Sequence, residues 1–396
     1  MKTVARYLAL EGNIRVLAVQ TLVSGLGFGM FFVVWQPLIL STGVSVIDLG
    51  VIQSVINLCS AAGLIAWGVL SDRFGRKPAI LVSQALRLLA IVALIVSGDF
   101  VFLLAFAFLF GFSALFMIGN PARNALTSES VESPRRATAF STLMSISQIT
   151  STVTASVGGY VAVTSGYTPI LYACVIGDLV GLLLLAVYLK ETHEATAVVA
   201  KPRESVSVRL RGLLAPEPGI GRLYLILFIS GLAYGTGYSL FYGTLVDSYG
   251  LTDFQLGLLT TAFNLTWGLA SIPIGKLSDM SGRRPMLLAS WTMALTTVFG
   301  LLAFRNFASF LLFQVTGALD PAFWVPAWMA LLSEKVPPDR LSTVMGKIDA
   351  YSKISGIPTP WLAGLLYSAY GFSAPLVVHL ALLSASGILI YKIKEK

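Results

Sequence analysis

The chain has 396 residues, 56% of them hydrophobic and only 12% charged, with a net charge of +8 and a mean hydropathy of +0.81. A soluble domain carries roughly 25% charged residues, so the composition argues against a water-soluble globular protein and for a polytopic membrane protein. The basic excess is dispersed in short loops, which speaks against nucleic-acid binding. Cys59 and Cys174 both sit inside apolar runs, without disulfide or metal spacing, and read as unpaired core cysteines.

Met1 to Arg15 is polar and too long before the first apolar run to resemble a cleaved signal peptide. Apolar stretches then follow at 16–40, 46–70, 79–97, 100–121, 137–163 and 168–190. After a long polar segment they resume at 222–246, 254–277, 286–304, 306–332, 341–368 and 372–391. Each is long enough to cross a hydrocarbon core of about 30 Å as a helix. Helices are expected because a helix satisfies its own backbone hydrogen bonds in lipid. The expected fold class is therefore all-α membrane, with twelve transmembrane helices. The expected division is an N-terminal six-helix half over 1–190, a cytoplasmic linker over 191–221 and a C-terminal six-helix half over 222–396. The linker holds Pro202, Pro216 and Pro218, and a short amphipathic helix fits Val206–Leu214.

Lys and Arg set the orientation. With the N-terminus in the cytoplasm, all 27 basic residues fall on the inner side except Arg305, which falls outside, and Arg87, Lys347 and Lys353, which fall within spans. Both termini are then cytoplasmic.

The two halves repeat one another. Gly68-Val69-Leu70-Ser71-Asp72-Arg73-Phe74-Gly75-Arg76-Lys77-Pro78 follows the second stretch. Gly275-Lys276-Leu277-Ser278-Asp279-Met280-Ser281-Gly282-Arg283-Arg284-Pro285 follows the eighth, 207 positions on. Leu49, Gly50 and Asn57 map at the same offset onto Leu256, Gly257 and Asn264. Pro121-Ala122 maps onto Pro326-Ala327 and Glu129 onto Glu334, at offset 205. Two parallel repeats of six helices form a transporter plan.

The pattern G-x-x-x-D-R-x-G-R-K-P after the second of twelve stretches, with its echo after the eighth, resembles the signature loop of the major facilitator superfamily. The resemblance covers essentially the whole chain. Leu49-Gly50 and Trp35-Gln36-Pro37-Leu38 are similar to the drug- and solute-transporting members. The resemblance implies a conformational latch at Gly68, Asp72, Arg73, Gly75 and Arg76, echoed at Gly275, Asp279, Gly282 and Arg283. From the residues alone, Gly68 and Gly75 allow close approach, Asp72 can face a helix N-terminus and Arg76 can pair with a carboxylate. Met280 replaces the Arg that follows Asp in the first copy. A positive-inside loop explains the basic residues but not the Gly, Asp and Pro spacing. The chain also departs from drug antiporters of the family. Only Gly158-Gly159 remains of their glycine-proline motif in helix 5, and Ala107 stands where they carry an Arg in helix 4.

Ionisable residues within spans are functional hypotheses. Asp320 in helix 10 and Lys353 in helix 11 both lie near the midplane by residue count, and Asp349 is four residues before Lys353. With Lys347 they form the proton-coupling or substrate-charge group, in which a protonated Asp320 releases Lys353. The competing reading is an ion pair that holds helices 10 and 11. Arg87 and Asp178 read as a structural pair, His379 as a satisfied core histidine, and Arg123 at the cytoplasmic end of helix 4 as a loop anchor or an inner-gate residue. Cavity residues are expected at Trp35, Phe110, Tyr234, Tyr238 and Trp324, with polar points at Asn57, Asn264 and Gln148. Aromatics also serve as ordinary packing and interfacial belts. Small-residue pairs Gly25/Gly29 and Gly231/Gly235 suit close helix packing.

The expected function is a secondary active transporter working by alternating access; the resemblance implies that it is proton-coupled, with drug-type efflux of a small lipophilic or organic-ion solute favoured. An uncoupled facilitator, an organic-anion or lipid transporter of the same fold, and a transport-inactive sensor are the alternatives. No G-x-x-x-x-G-K-[ST] loop, zinc set or nucleophile elbow is present in the sequence, so the chain reads as no enzyme, with no cofactor and no metal. Its expected partners are a small-molecule substrate, a proton and the lipid bilayer. The expected location is the cell membrane, multi-pass, and a monomer is the default that the resemblance implies.

Overall fold

The computed structural model describes residues 8–96, 99–115, 120–132, 135–192, 216–336 and 338–393. The helix expected at Val206–Leu214 lies outside them. Every predicted stretch contains helix. In chain order these are α1 (Gly12–Ser41), α2 (Val46–Phe74), α3 (Arg76–Ile95), α4 (Phe100–Ser113), α5 (Pro121–Glu129), α6 (Arg136–Ser165) and α7 (Thr168–Tyr188). There follow α8 (Gly221–Tyr238), α9 (Phe241–Tyr249), α10 (Asp253–Ser281), α11 (Arg283–Ala303), α12 (Phe307–Lys335), α13 (Pro338–Ser355), α14 (Thr359–Tyr370) and α15 (Ser373–Tyr391).

Eight helical stretches among the described residues are long and apolar enough to cross a membrane: α1, α2, α3, α7, Gly221–Tyr249, α11, Phe307–Leu332 and α15. The others are shorter or richer in polar residues. Three predicted stretches are interrupted. The fourth breaks after Ala114, which is left-handed at φ 49°. The chain resumes as α5, capped by the Asn120 side chain on the Arg123 amide, with Pro121 in the first turn. The seventh breaks at Ser239-Leu240. The eleventh breaks at Gly356–Pro358, where Pro358 precedes Pro360 and the chain cannot hold a continuous ladder.

The chain forms two compact units. One comprises residues 1–44, 55–199 and 252–257; the other comprises 45–54, 200–251 and 258–396. The first unit packs Ile14, Leu17, Trp67, Ile80, Leu126 and Leu185 into a buried cluster. The second packs Leu223, Tyr224, Leu287, Trp328, Leu331 and Ile348.

The glycine pairs repeat with their partners. In the first unit, a Cβ on Gly25 would press on Thr150, and one on Gly29 would collide with Thr154. In the second unit, Gly231 meets Ser355 and Gly235 meets Thr359 in the same way. Thr150 and Thr154 lie 205 positions before Ser355 and Thr359. In each unit the glycines of one helix thus admit hydroxyl side chains, from α6 in the first unit and from the α13 end and α14 start in the second, as helices pack when lipid supplies no hydrophobic drive between them.

Candidate functional site

The signature loop of the first unit is a charged cluster around Arg76. The Arg76 guanidinium pairs with Asp72, bonds Ser71 Oγ at 3.0 Å and reaches Glu129 Oε1 at 3.1 and 3.2 Å. Asp72 was expected to face a helix N-terminus. It instead pairs with Arg76, the first residue of α3. Glu191 takes the N-terminus of α3, accepting from the Arg76 and Lys77 amides at 2.9 and 3.0 Å. Gly75 carries φ 102° and Gly282 φ 86°, a backbone state that favours glycine. The close approach expected at Gly68 is absent: a Cβ there would be 4.0 Å from Pro121, and one on Gly275 would meet nothing within 4 Å. Arg73 is exposed and lies 5.5 Å from the Phe74 ring.

The second copy repeats the central pair. Arg283 Nε donates to Glu334 Oε1 at 2.9 Å, and Nη1 donates to the Ser278 carbonyl at 2.7 Å. Arg283 and Glu334 are the repeat equivalents of Arg76 and Glu129. Met280, in the place of Arg73, is exposed. The Asp279 side chain lies outside the described residues.

In the second unit, Asp320 is 9% exposed and sits on α12 between two hydroxyls. Ser290 on α11 donates to Oδ1 at 2.5 Å, and the Tyr234 hydroxyl on α8 donates to Oδ2. The expected Asp320–Lys353 group is not what surrounds this carboxylate. Lys353 is exposed. Six helical residues separate Lys347 from Lys353, a rotation of about 240° at 3.6 residues per turn, so the two lysines leave α13 on different faces. Lys347 turns to Glu217, donating at 2.9 Å, with both side chains 12% exposed. The Asp349 side chain lies outside the described residues.

The Tyr234 ring is partly exposed, while its hydroxyl ends on the buried Asp320. His379 is fully buried with its ring 5.0 Å from that of Tyr234 and 5.1 Å from that of Tyr238, both edge-on. Neither ring nitrogen has a hydrogen-bond partner of normal geometry. Its ring packs edge-on against the two tyrosines, with the Ala233 backbone as a polar neighbour. Trp324 stacks on Trp328 at 5.0 Å against the apolar core of this unit. Asn264 is half-buried on α10.

In the first unit, Arg87 and Asp178 form the expected pair, at 2.8 Å from Nε and 2.5 Å from Nη2. Arg87 also lies 4.1 Å from the Phe28 ring centroid. Gln84 donates to Asp178 Oδ1 at 2.8 Å and accepts from Gln20 at 3.3 Å. Gln20 in turn accepts from Arg123 at 3.0 Å. Arg123 also bonds Thr21 Oγ1 and approaches the Leu17 carbonyl at 3.5 Å. Burial first, and the Arg87 charge second, lower the Arg123 guanidinium to about 10, so it remains charged at neutral pH. Sequence reasoning read Arg123 as a loop anchor at a helix end and did not find Gln20, Gln84 or Ser290. A Gln or Ser within an apolar helix gives no periodic signal of its own. Phe110 is buried in a cluster with Phe28, Phe31 and Phe106, so this expected cavity residue is packed in the described structure. Trp35 is 8% exposed; Asn57 and Gln148 are half-buried.

Long apolar helices, paired intramembrane charges and a repeated loop define a multi-pass helical membrane protein of transporter type. The sequence model of the Major Facilitator Superfamily matches residues 17–236 and 223–396, and the chain belongs to that family of transporters. A tetracycline resistance protein of class G from Vibrio anguillarum is 28% identical over 221 residues, 54% of each chain. The multidrug resistance protein MdtG of Proteus mirabilis is 29% identical over 170 residues, 41% of this chain and 42% of that protein. The matches thus span about half the length of these relatives, or less. Among solved structures, a D-xylose–proton symporter superposes with TM-score 0.74 at 14% identity, covering 97% of this chain and 98% of that one. The human organic anion transporter MFSD10 superposes with TM-score 0.69 at 16% identity, covering 96% and 98%. Both likenesses concern the fold. The family and fold are those of transporters, not enzymes.

Proposed function

We propose that the chain is a proton-coupled secondary active transporter that works by alternating access and exports a small lipophilic or organic-ion solute from the cell. The observation that carries the reading is Asp320: a carboxylate 9% exposed whose oxygens accept from Ser290 and Tyr234. A buried carboxylate solvated by hydroxyls can exist with or without its proton, because a hydroxyl can donate to the charged form or accept from the acid. Asp178, by contrast, is paired with the Arg87 guanidinium. Tyr234, bonded to Asp320, is the group through which solute binding and protonation communicate in this reading. The drug-efflux element is supported by the partial likeness to the tetracycline and multidrug resistance proteins and by the aromatic residues on α1, α8 and α12.

The same reading takes the chain as twelve spans in two six-helix halves, over 1–190 and 222–396, joined by a cytoplasmic linker, with both termini cytoplasmic. The protein works as a monomer in the cell membrane, with Trp35, Tyr238 and Trp324, and the polar Asn57, Asn264 and Gln148, contributing to the solute path.

The test is flux in proteoliposomes. With an imposed pH gradient, tetraphenylphosphonium and 1-naphthoate are added in turn while lumenal pH is followed. Saturable flux with solute-dependent proton movement is the expected result. Saturable flux without proton movement would remove the coupling and leave an uncoupled facilitator.

A further inference from the structure

The polar network in the first unit has an unbalanced charge. By hydrogen bonds it runs from Arg123 to Gln20, from Gln20 to Gln84, and from Gln84 to Asp178 and Arg87. Ser24 joins it, accepting from Gln20 and Gln84 and donating to the Gly177 carbonyl. Among the described residues the network therefore holds two guanidiniums and one carboxylate. Asp178 is fully buried, and both its oxygens go to Arg87 and Gln84. Nothing of it remains for Arg123.

Among the described residues, the hydrogen bonds of the Arg123 guanidinium go to a side-chain amide, a hydroxyl and a main-chain carbonyl, all neutral. Its nearest influential charge is Arg87, which is repulsive. A desolvated cation held only by neutral dipoles is expensive unless a counter-ion arrives. Arg123 also retains accessible surface, since the residue is half-buried, whereas Gln20 behind it is 2% exposed. These dipoles hold the guanidinium in a fixed orientation on α5.

We propose that Arg123 binds the anionic head of the transported solute, a monocarboxylate carried by an apolar or aromatic body. This rests on the transporter reading and narrows its solute class. A single negative charge balances the network, whereas a phosphate dianion would overshoot it. The planar guanidinium matches a carboxylate geometrically as well as in charge. Thr21 and Gln20, already on Arg123, hold its orientation. The bland competitor is a purely structural pin of α5 to α1.

The experiment is equilibrium binding to the full chain in phosphatidylcholine nanodiscs, without any ion gradient. Three probes share one ring system and differ in head-group charge: 1-naphthoate, 1-naphthamide and 1-naphthylmethylammonium. Wild type is expected to bind the carboxylate about tenfold or more tighter than the amide. Arg123→Gln abolishes that preference, and Arg123→Lys restores part of it because a lysine keeps the charge but not the fork. Thermal melting of each variant reports folding separately, and Arg123→Lys keeps the test open should Arg123→Gln fold poorly. Wild type that shows no preference for the carboxylate, or no saturable naphthoate binding, overturns the proposal. So does an Arg123→Gln protein that keeps the preference, or one that loses all three probes equally. Because no proton gradient is involved, failure of coupling at Asp320 leaves this result unchanged.

Discussion

Ser290 donates its hydroxyl to Asp320 Oδ1 at 2.5 Å, from a neighbouring helix. With Tyr234 on the other oxygen, the carboxylate is solvated by protein hydroxyls in place of water. Hydrogen bonds to a charged acceptor contribute about 1.5–3 kcal/mol, against about 0.5–1.5 for neutral pairs. Ser290→Ala should therefore lower stability in detergent more in the wild-type background than in Asp320→Asn. Chemical or thermal unfolding of the four proteins of this cycle measures the difference. Equal losses in both backgrounds would mean that Asp320 carries no charge in the resting protein.

The pairs Arg76–Glu129 and Arg283–Glu334 occupy repeat-equivalent positions. Glu129 and Glu334 side chains are 34% and 52% exposed, so solvent screening limits each pair to about 0.5–1 kcal/mol. Reversing one charge, as in Arg283→Glu, should lower the melting temperature by a few degrees. The swap Arg283→Glu with Glu334→Arg should recover most of it. A swap no better than the single change would show that other groups, and not this pair, hold the loop.

Gly235 and Gly275 should respond oppositely to a methyl group. At Gly235 a Cβ would run into Thr359, with its Cβ at 2.9 Å, and overpacking of this kind costs about 1–3 kcal/mol. At Gly275 nothing lies within 4 Å, and Ala is the better helix former by up to about 1 kcal/mol. Melting curves of Gly235→Ala and Gly275→Ala are expected to move down and up, respectively.

Lys347 and Lys353 are six residues apart and differ in environment. Lys347 is paired with Glu217, and both are 12% exposed, so removing one partner strands a desolvated charge at a cost of about 3 kcal/mol. Lys353 is exposed, and its truncation should stay within about 0.5 kcal/mol. The comparison is Lys347→Met against Lys353→Met, read by thermal unfolding. A larger loss at Lys353 would restore it to the buried charge group.

The repeat made much of this legible in advance. It aligned Arg76 with Arg283 and Glu129 with Glu334 before either pair was seen, and it matched Gly25/Gly29 with Gly231/Gly235. Composition and run length placed helix in every predicted stretch. What sequence could not supply was the face each intramembrane residue presents. Counting along α12 and α13 gave Asp320 and Lys353 similar depth, but depth does not determine azimuth. Partners such as Ser290, Gln20 and Gln84 are ordinary residues that acquire meaning only once a charge from another helix lands on them. The breaks at Ala114 and Ser239-Leu240 were equally silent, since apolar runs continue through both. At Gly356–Pro358, by contrast, glycine and proline mark the interruption in the sequence itself.

The most direct test of the central claim separates exchange from coupling at Asp320. Proteoliposomes containing wild type or Asp320→Asn are loaded with unlabelled 1-naphthoate, and labelled solute is followed first without and then with a pH gradient. The account predicts that Asp320→Asn retains solute exchange across the membrane but loses accumulation driven by the gradient, while wild type shows both. Gradient-driven accumulation that persists at the wild-type level in Asp320→Asn would contradict it, and would leave the Ser290–Asp320–Tyr234 contact as helix packing alone.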